Sequence, residues 1–387
     1  MASLAGAAQG MILALILGAS AWAQAPAEPV RAADLREEVQ HIAVKTQDLY
    51  GKSAEGIIPV TIFRPAGDGP FPLVIMNHGR ATKDKRGATG RQRYEHLSRY
   101  LVRKGFVVMI PTRLGYHETY GQFDPEDAGN CNTLRPEAVA TAASDQVLQT
   151  LDFARTLPYV NAQRWVVMGQ SVGGLTAVAT VSRNPPGLVA GINFAGGTGG
   201  DPENRPNDPC NPRALESLWR SRAATANVPM QWFYWANDKY WGADTPKRWH
   251  RAWTDGGGQA ELHAMPASGA DGHSGMSNDM DRWVPLAEEF LARNGFSKPG
   301  TVDIPKASGF AKVDEVERVP VNKASRDNTY AKFLAGNKPR AYAVSADGSN
   351  GWATGDWAAG RALGFCQARR GIVCKLYAVD DDVVWVP

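Results

Sequence analysis

Metal-site signatures are missing from this chain of 387 residues: there is no H-E-x-x-H and no C-x-x-C pair. Excess charge is missing too. The net charge is only +3, and no basic run is interleaved with aromatics, so nothing electrostatic argues for a nucleic-acid partner. No apolar run marks a permanent membrane anchor: Met11–Ala19 (M-I-L-A-L-I-L-G-A) is too short to span a bilayer. Met1–Gly10 holds no Lys or Arg, so the α-amino group is the only positive charge at that end. The small-x-small step Ala21-Trp22-Ala23 follows the apolar stretch. Residues 1–23 therefore read as a secretory signal peptide, with a mature chain beginning near Gln24 in the periplasm or outside the cell.

Cysteine is sparse. Four are present, a number consistent with paired use in an oxidising compartment, and four allow three pairings. Cys366 and Cys374 are close in the chain and are expected to pair. Cys131 and Cys210 both lie in polar loops, G-N-C-N and D-P-C-N-P, and are expected to form the second pair.

What is abundant is turn chemistry, with 40 Gly and 25 Pro punctuating short apolar segments. Residues 24–55 carry little pattern and read as a lead-in. Ile57–Arg64 alternates like a strand, while Leu73–Met76, Phe106–Ile110 and Leu188–Phe194 are continuous apolar runs of the kind found in strands covered on both faces. Helical spacing appears in Arg91–Lys104, Pro136–Leu157, Pro246–Trp253 and Trp283–Asn294; Val228–Trp235 and Glu261–Met265 read as further strands. Two long polar loops, 117–135 and 196–212, interrupt the series. Strands alternating with helices predict an α/β sandwich around a mostly parallel sheet, whose chemistry collects at the carboxyl ends of the strands.

One stretch concentrates that chemistry. Trp165–Gly174 reads W-V-V-M-G-Q-S-V-G-G, and Leu175–Val181 beyond it is helix-like. A strand, a turn too tight for ordinary residues and a helix are the setting for a nucleophilic serine, here Ser171 between Gly169 and Gly173. A serine hydroxyl needs a base, and the base needs an orienting acid. Of seven histidines, His273 in S-G-A-D-G-H-S-G-M is the candidate base, because it lies in a loop after the last strand. His41, His96, His117, His250 and His263 read as surface or packing residues, and His78 as a prop for the loop that follows it. Asp238, the first carboxylate after Val228–Trp235, is the candidate acid; Asp271 is its rival. The oxyanion donors are expected at the backbone N–H of Val172 and of Arg80, the latter in the loop His78-Gly79-Arg80. The Arg80 side chain is expected to face solvent or an anionic substrate group. Tyr240 and Trp241, just past Asp238, are candidates for lining a substrate cleft, whereas Trp232, Phe233 and Trp235 read as core.

The order Ser171, Asp238, His273, with N-H-G-R after a buried strand and G-Q-S-V-G-G at the elbow, resembles the α/β-hydrolase superfamily. Within it the chain looks most like the dienelactone-hydrolase and prolyl-oligopeptidase-like branch, whose loop after the fourth strand P-T-R-L-G-Y-H resembles. The resemblance covers roughly residues 55–295. It implies acyl transfer through an acyl-enzyme on a small-molecule substrate, with no metal and no organic cofactor. Dienelactone hydrolases proper carry a cysteine nucleophile where this chain has Ser171, so the resemblance implies an esterase, or a peptidase, instead. A catalytically silent hydrolase fold used for binding is the reading from a different class.

The remainder falls outside that fold. The expected organisation is a hydrolase domain over 24–295, a linker over 296–335 and a small α+β domain over 336–387. In the last, Ala341–Ser345, Val373–Val379 and Val383–Val386 read as strands and Trp357–Arg369 as a helix. Cys366–Cys374 would staple helix to sheet, which so small a core needs. This segment resembles small Cys-paired modules appended to bacterial secreted proteins.

Overall fold

The structure is a computed structural model, and it describes residues 32–298, 300, 302, 304–355, 358–367 and 372–387. The expected signal peptide lies outside the described residues. Eight strands form the larger sheet: β1 (Glu38–Gln47), β2 (Ser53–Phe63), β3 (Phe71–Asn77), β4 (Val107–Pro111), β5 (Val160–Gln170), β6 (Leu188–Phe194), β7 (Met230–Trp235) and β8 (Ala260–Met265). Their order across the sheet is β1-β2-β4-β3-β5-β6-β7-β8. β1 and β2, and β2 and β4, pair antiparallel; every later pair is parallel. The chain thus steps from β3 to β4 on one side, then crosses to β5 on the other. That reversal opens a crevice at the carboxyl ends of β3 and β5.

Side-chain alternation along each strand feeds two cores. Trp165 and Val167 of β5, with Trp232 and Tyr234 of β7, face α2 (Pro136–Ala154), α3 (Val172–Val181), α4 (Pro212–Ala223) and α5 (Thr245–Asp255). Val166 and Met168, with Phe233 and Trp235, face the other way. There they meet α1 (Glu95–Arg103), the single turn α6 (Gly275–Asn278) and α7 (Met280–Arg293). A strand buried on both faces needs apolar residues at every position, which is why these segments read as unbroken runs. Trp232, Phe233 and Trp235 are core, as expected.

The lead-in is a correction. Residues 38–47 form edge strand β1, registered on β2 from Glu38 opposite Ile62 to Gln47 opposite Ser53. Only one of its faces is buried, through Ile42, Val44 and Thr46, so its apolar signal is half that of a central strand. α4 also went unread: it starts at a proline and buries only Leu215, Leu218, Trp219 and Ala223.

The carboxy-terminal part has its own four-stranded antiparallel sheet, in the order β10-β9-β11-β12, built from β9 (Arg340–Ser345), β10 (Asn350–Thr354), β11 (Cys374–Val379) and β12 (Asp382–Val383). The last strand is shorter than the expected Val383–Val386, and β10 is a strand that the sequence pattern did not predict. Between the two sheets come the short helices α8 (Lys323–Ser325) and α9 (Ala331–Ala335); α10 (Ala358–Gln367) follows β10. α10 covers one face of the small sheet, where Ala341, Ala343 and Leu376 meet Ala362 and Cys366. The other face, with Tyr342, Val344 and Tyr377, is covered by Val319, Val321, Tyr330 and Phe333, all buried. Residues 319–333, inside the expected linker, therefore supply a layer of this second unit. α10 also reaches a helix of the larger sheet: the Phe365 ring meets His96 of α1 edge-on, with centroids 4.6 Å apart.

Both expected disulfides are present, Cys131–Cys210 and Cys366–Cys374, and among the described residues no cysteine is free. Thiol titration of denatured, unreduced protein should accordingly find no reactive thiol. The two bridges close loops of very different length, with sequence separations of 79 and 8. In the chain-entropy account, replacing Cys131 and Cys210 by alanine should therefore cost about 2 kcal/mol more stability than replacing Cys366 and Cys374. Denaturant midpoints of the two double mutants check the order.

Candidate active site

At the end of β5 the backbone turns on Ser171, whose φ of 58° and ψ of −123° lie where non-glycine residues rarely sit. The strain is tolerated because the surroundings leave no alternative. The Ser171 N–H donates to the Phe194 carbonyl (2.9 Å), and its own carbonyl accepts from Leu175 (3.0 Å) and Gly197 (3.2 Å). A side chain at Gly173 would run into the Asn77 carbonyl, and one at Gly169 into the Gly173 carbonyl. Gly173 is thus demanded by close approach between the elbow and the end of β3, and Gly169 by the tightness of the elbow itself. Gly79 lies against the serine from the same side: a Cβ there would be 3.1 Å from Ser171 Cβ and 3.7 Å from Oγ. The first N–H of α3, that of Val172, stands at the helix end, where partial positive charge gathers.

His273 follows β8 in a short 3₁₀ turn, Gly272–Ser274. Its Nδ1 lies 3.2 and 3.1 Å from the two oxygens of the Asp238 carboxylate, which is fully buried. Asp238 Oδ1 also accepts the N–H groups of Tyr240 (2.8 Å) and Trp241 (3.3 Å). Asp271 sits elsewhere. Its Oδ1 accepts the backbone N–H groups of His273 and Lys239, both at 3.0 Å, so it fixes the loop and does not meet the ring. Among the described residues no hydrogen bond joins the Ser171 hydroxyl to the His273 ring. The two segments are tied instead by Gln170, whose Nε2 donates to the His273 carbonyl at 2.7 Å. Catalytic hydrogen bonds are often loose until substrate binds.

Under the loop 78–80 lies a buried charge network. The Arg113 backbone N–H donates to His78 Nε2 (3.1 Å), which leaves the ring proton on Nδ1 to donate to the Gly79 carbonyl (2.7 Å). The Arg113 guanidinium donates to the His78 carbonyl (2.8 Å) and pairs with Glu126; both side chains are fully buried. Tyr116 adds a hydrogen bond to Glu126 at 2.9 Å. Burial, reinforced by the Arg113 charge, pulls the His78 imidazole down to about 3, so it is a neutral prop. Burial works to raise the Glu126 carboxyl, but Arg113 outweighs it and holds the group below its ordinary value. The Arg80 side chain takes neither expected course. It clamps Asp124 through both terminal nitrogens, at 2.8 and 2.9 Å, and Arg86 joins the same carboxylate at 2.8 Å.

Of the two candidate cleft residues, Trp241 lands differently from a cleft lining. Trp241 is 1% exposed and packs edge-on against Trp249, with its Nε1 donating to the Ala195 carbonyl (2.7 Å). It belongs to the core and offers no surface to a ligand. Tyr240 is half-buried and stacks on His273, with ring centroids 3.8 Å apart and planes 22° from parallel. Sequence reasoning passed over Gln170, Arg113, Glu126 and Asp124. The available signal was charge placed directly after the buried run Phe106–Ile110, in P-T-R-L-G-Y-H.

A profile of the Dienelactone hydrolase family matches residues 58–274, and the chain belongs to that family. It is 29% identical over 143 residues to "Chlorophyllase-1, chloroplastic" of Citrus sinensis; the match covers 36% of this chain and 37% of that protein. Among solved structures, a putative dienelactone hydrolase from Klebsiella pneumoniae subsp. pneumoniae MGH 78578 is 19% identical with a TM-score of 0.43, covering 65% of this chain and 98% of that one. The acylaminoacyl peptidase of Pyrococcus horikoshii is 18% identical with a TM-score of 0.47, covering 69% and 43%.

Breaking the buried pair tests its weight. Glu126→Leu strands the Arg113 charge and should lower stability by about 3–5 kcal/mol, whereas adding Arg113→Met should recover part of the loss. Urea midpoints of the single and double variants check this. His78 gives a pH signature. Its folded value lies below its ordinary 6.5, so its contribution is complete above pH 6.5 and drains away as pH falls toward about 3. Over the upper part of that window, above the carboxylate range, His78→Gln should flatten the dependence of the midpoint on pH.

Proposed function

We propose that this member of the family is a serine hydrolase that cleaves carboxylic esters through an acyl-enzyme, with Ser171 as nucleophile, His273 as general base and Asp238 as orienting acid. The observation that carries the reading is the geometry at the strand ends. A strained serine stands against the backbone of Gly79, and the histidine on the neighbouring loop has its Nδ1 3.1 Å from a fully buried carboxylate.

In this reading the Asp238 carboxylate keeps the proton on His273 Nδ1, which leaves Nε2 free to take the Ser171 proton as Oγ attacks the ester carbonyl. The oxygen that becomes anionic is met by the backbone N–H groups of Val172 and Arg80. His273 then returns the proton to the leaving alcohol, and a water attacks the acyl-enzyme by the same route in reverse. Arg80 serves through its backbone, because its guanidinium is occupied by Asp124. The two disulfides support a location in the periplasm or outside the cell. We read residues up to about 295 as the catalytic domain and the second sheet with its covering helices as an appended unit.

A fluorophosphonate probe should label the wild-type protein and leave Ser171→Ala unlabelled. A folded wild type that takes no label would sink the reading, and equal labelling of Ser171→Ala would name another nucleophile. Asp238→Asn should lower turnover of p-nitrophenyl esters about a thousandfold or more, since the amide no longer holds the required tautomer. Asp271→Asn should act mainly on loop stability. Faster cleavage of peptide anilides than of esters would replace the ester reading with a peptidase.

A further inference from the structure

We propose that Tyr240 is a positioning residue whose ring face holds the His273 imidazole and stabilises it when it becomes imidazolium. The inference rests on the assignment of His273 as the base, and it gives the residue after the acid loop's lysine a role that neither family membership nor the triad requires.

Four contacts fix the arrangement. The Tyr240 and His273 rings are stacked at 3.8 Å and 22°. Asp238 Oδ1, which faces the imidazole edge, also accepts the Tyr240 N–H at 2.8 Å, so a single carboxylate sets both the ring and the backbone of its stacking partner. Behind Tyr240 runs the glycine-rich turn 196–200, where a Cβ at Gly200 would come within 2.7 Å of Tyr240 Cδ1. Tyr240 is thereby confined between that turn and the imidazole. Trp241 meets the same imidazole edge-on, with centroids 5.6 Å apart.

The electrostatics give the contact a direction. Carboxylates surround the two rings: Asp238 at Nδ1, Asp271 at the His273 N–H, and Asp201 and Glu203 on the loop beyond Gly200; the neighbouring cation is Lys239, next to Tyr240 in the chain and exposed. Burial, followed by those carboxylates, pushes the Tyr240 phenol above its ordinary value, so the ring is a neutral phenol at working pH. A neutral aromatic face attracts a cation and gains little from a neutral imidazole. The contact is therefore stronger after Ser171 has given up its proton than before, which is the condition for lowering a barrier.

The test is the pH profile of kcat/KM on p-nitrophenyl acetate for Tyr240→Phe and Tyr240→Leu in the full chain. The phenylalanine keeps the face, and its rate and acid limb should match wild type within about twofold. The leucine keeps the cover but removes the face. Its kcat/KM should fall on the order of tenfold while its acid limb moves to lower pH by about half a unit to one unit. A lower rate with an unmoved limb would reduce Tyr240 to packing and overturn the proposal, as would a phenylalanine variant that behaves like leucine. If circular dichroism shows the leucine variant unfolded, Tyr240→Met takes its place in the same comparison. Failure of wild type to take the fluorophosphonate label would instead remove the serine-hydrolase reading itself, so the two failures are separable.

Discussion

The Asn77 carbonyl lies so close to Gly173 that no side chain fits between the end of β3 and the elbow, and the site is built outward from that approach. It places the last residues of β3 and β5 side by side at the one point where the sheet order reverses. The loop His78–Arg80 leaves β3 there, and Ser171 leaves β5 there, so the serine side chain and the backbone of that loop meet without any long-range adjustment. The positive φ of Ser171 is the local cost, about 1–3 kcal/mol for a residue of this kind. The fully buried strands on either side over-determine the turn and hold it.

Holding a polar loop over a buried sheet end raises a second problem, which the Arg113–Glu126 pair resolves. The His78 carbonyl and ring nitrogen would be stranded away from water if Arg113 did not meet both. Arg113 is itself a buried charge, and Glu126 with Tyr116 completes it. The pair is worth less for net stability than for specificity of conformation: isolated pairs of this type roughly break even against apolar replacements, but removing one member is expensive. Here they fix the backbone segment that lies against Ser171.

Much of this was legible in the sequence, for a physical reason. β3, β5 and β6 are buried on both faces, so their composition alone announces them, and Ser171, His78 and Asp238 follow strand ends as an α/β sheet requires. Edge strand β1 announces itself only through Ile42, Val44 and Thr46, and α4 only through a narrow stripe. Asp238 could be separated from Asp271 by asking which carboxylate stands apart from the histidine's own loop, and the 3.1 Å contact to Nδ1 agrees with that argument. Links between residues distant in sequence left no local pattern. Gln170 reaches a carbonyl 103 residues away, and the Tyr240 stack needs two loops to meet. The aromatic pair after Asp238 was visible, but its direction was not: Trp241 turns inward because its N–H finds the Ala195 carbonyl.

The Cys131–Cys210 bridge joins the two sides of the crevice. Cys131 belongs to the loop that carries Asp124 and Glu126, the partners of Arg80 and Arg113 beneath the serine. Cys210 donates its N–H to Gly199 at 2.8 Å, next to the Gly200 that backs Tyr240 against His273. A continuous path therefore runs from the loop below Ser171, through the disulfide, to the ring of the proposed base. Each long loop alone would be costly to order, because neither contributes a strand and few of their residues reach the core. Cross-linking them across 79 residues removes much of that freedom. The covalent bond thereby couples the carboxylates that hold Arg80 and Arg113 to the turn that backs Tyr240.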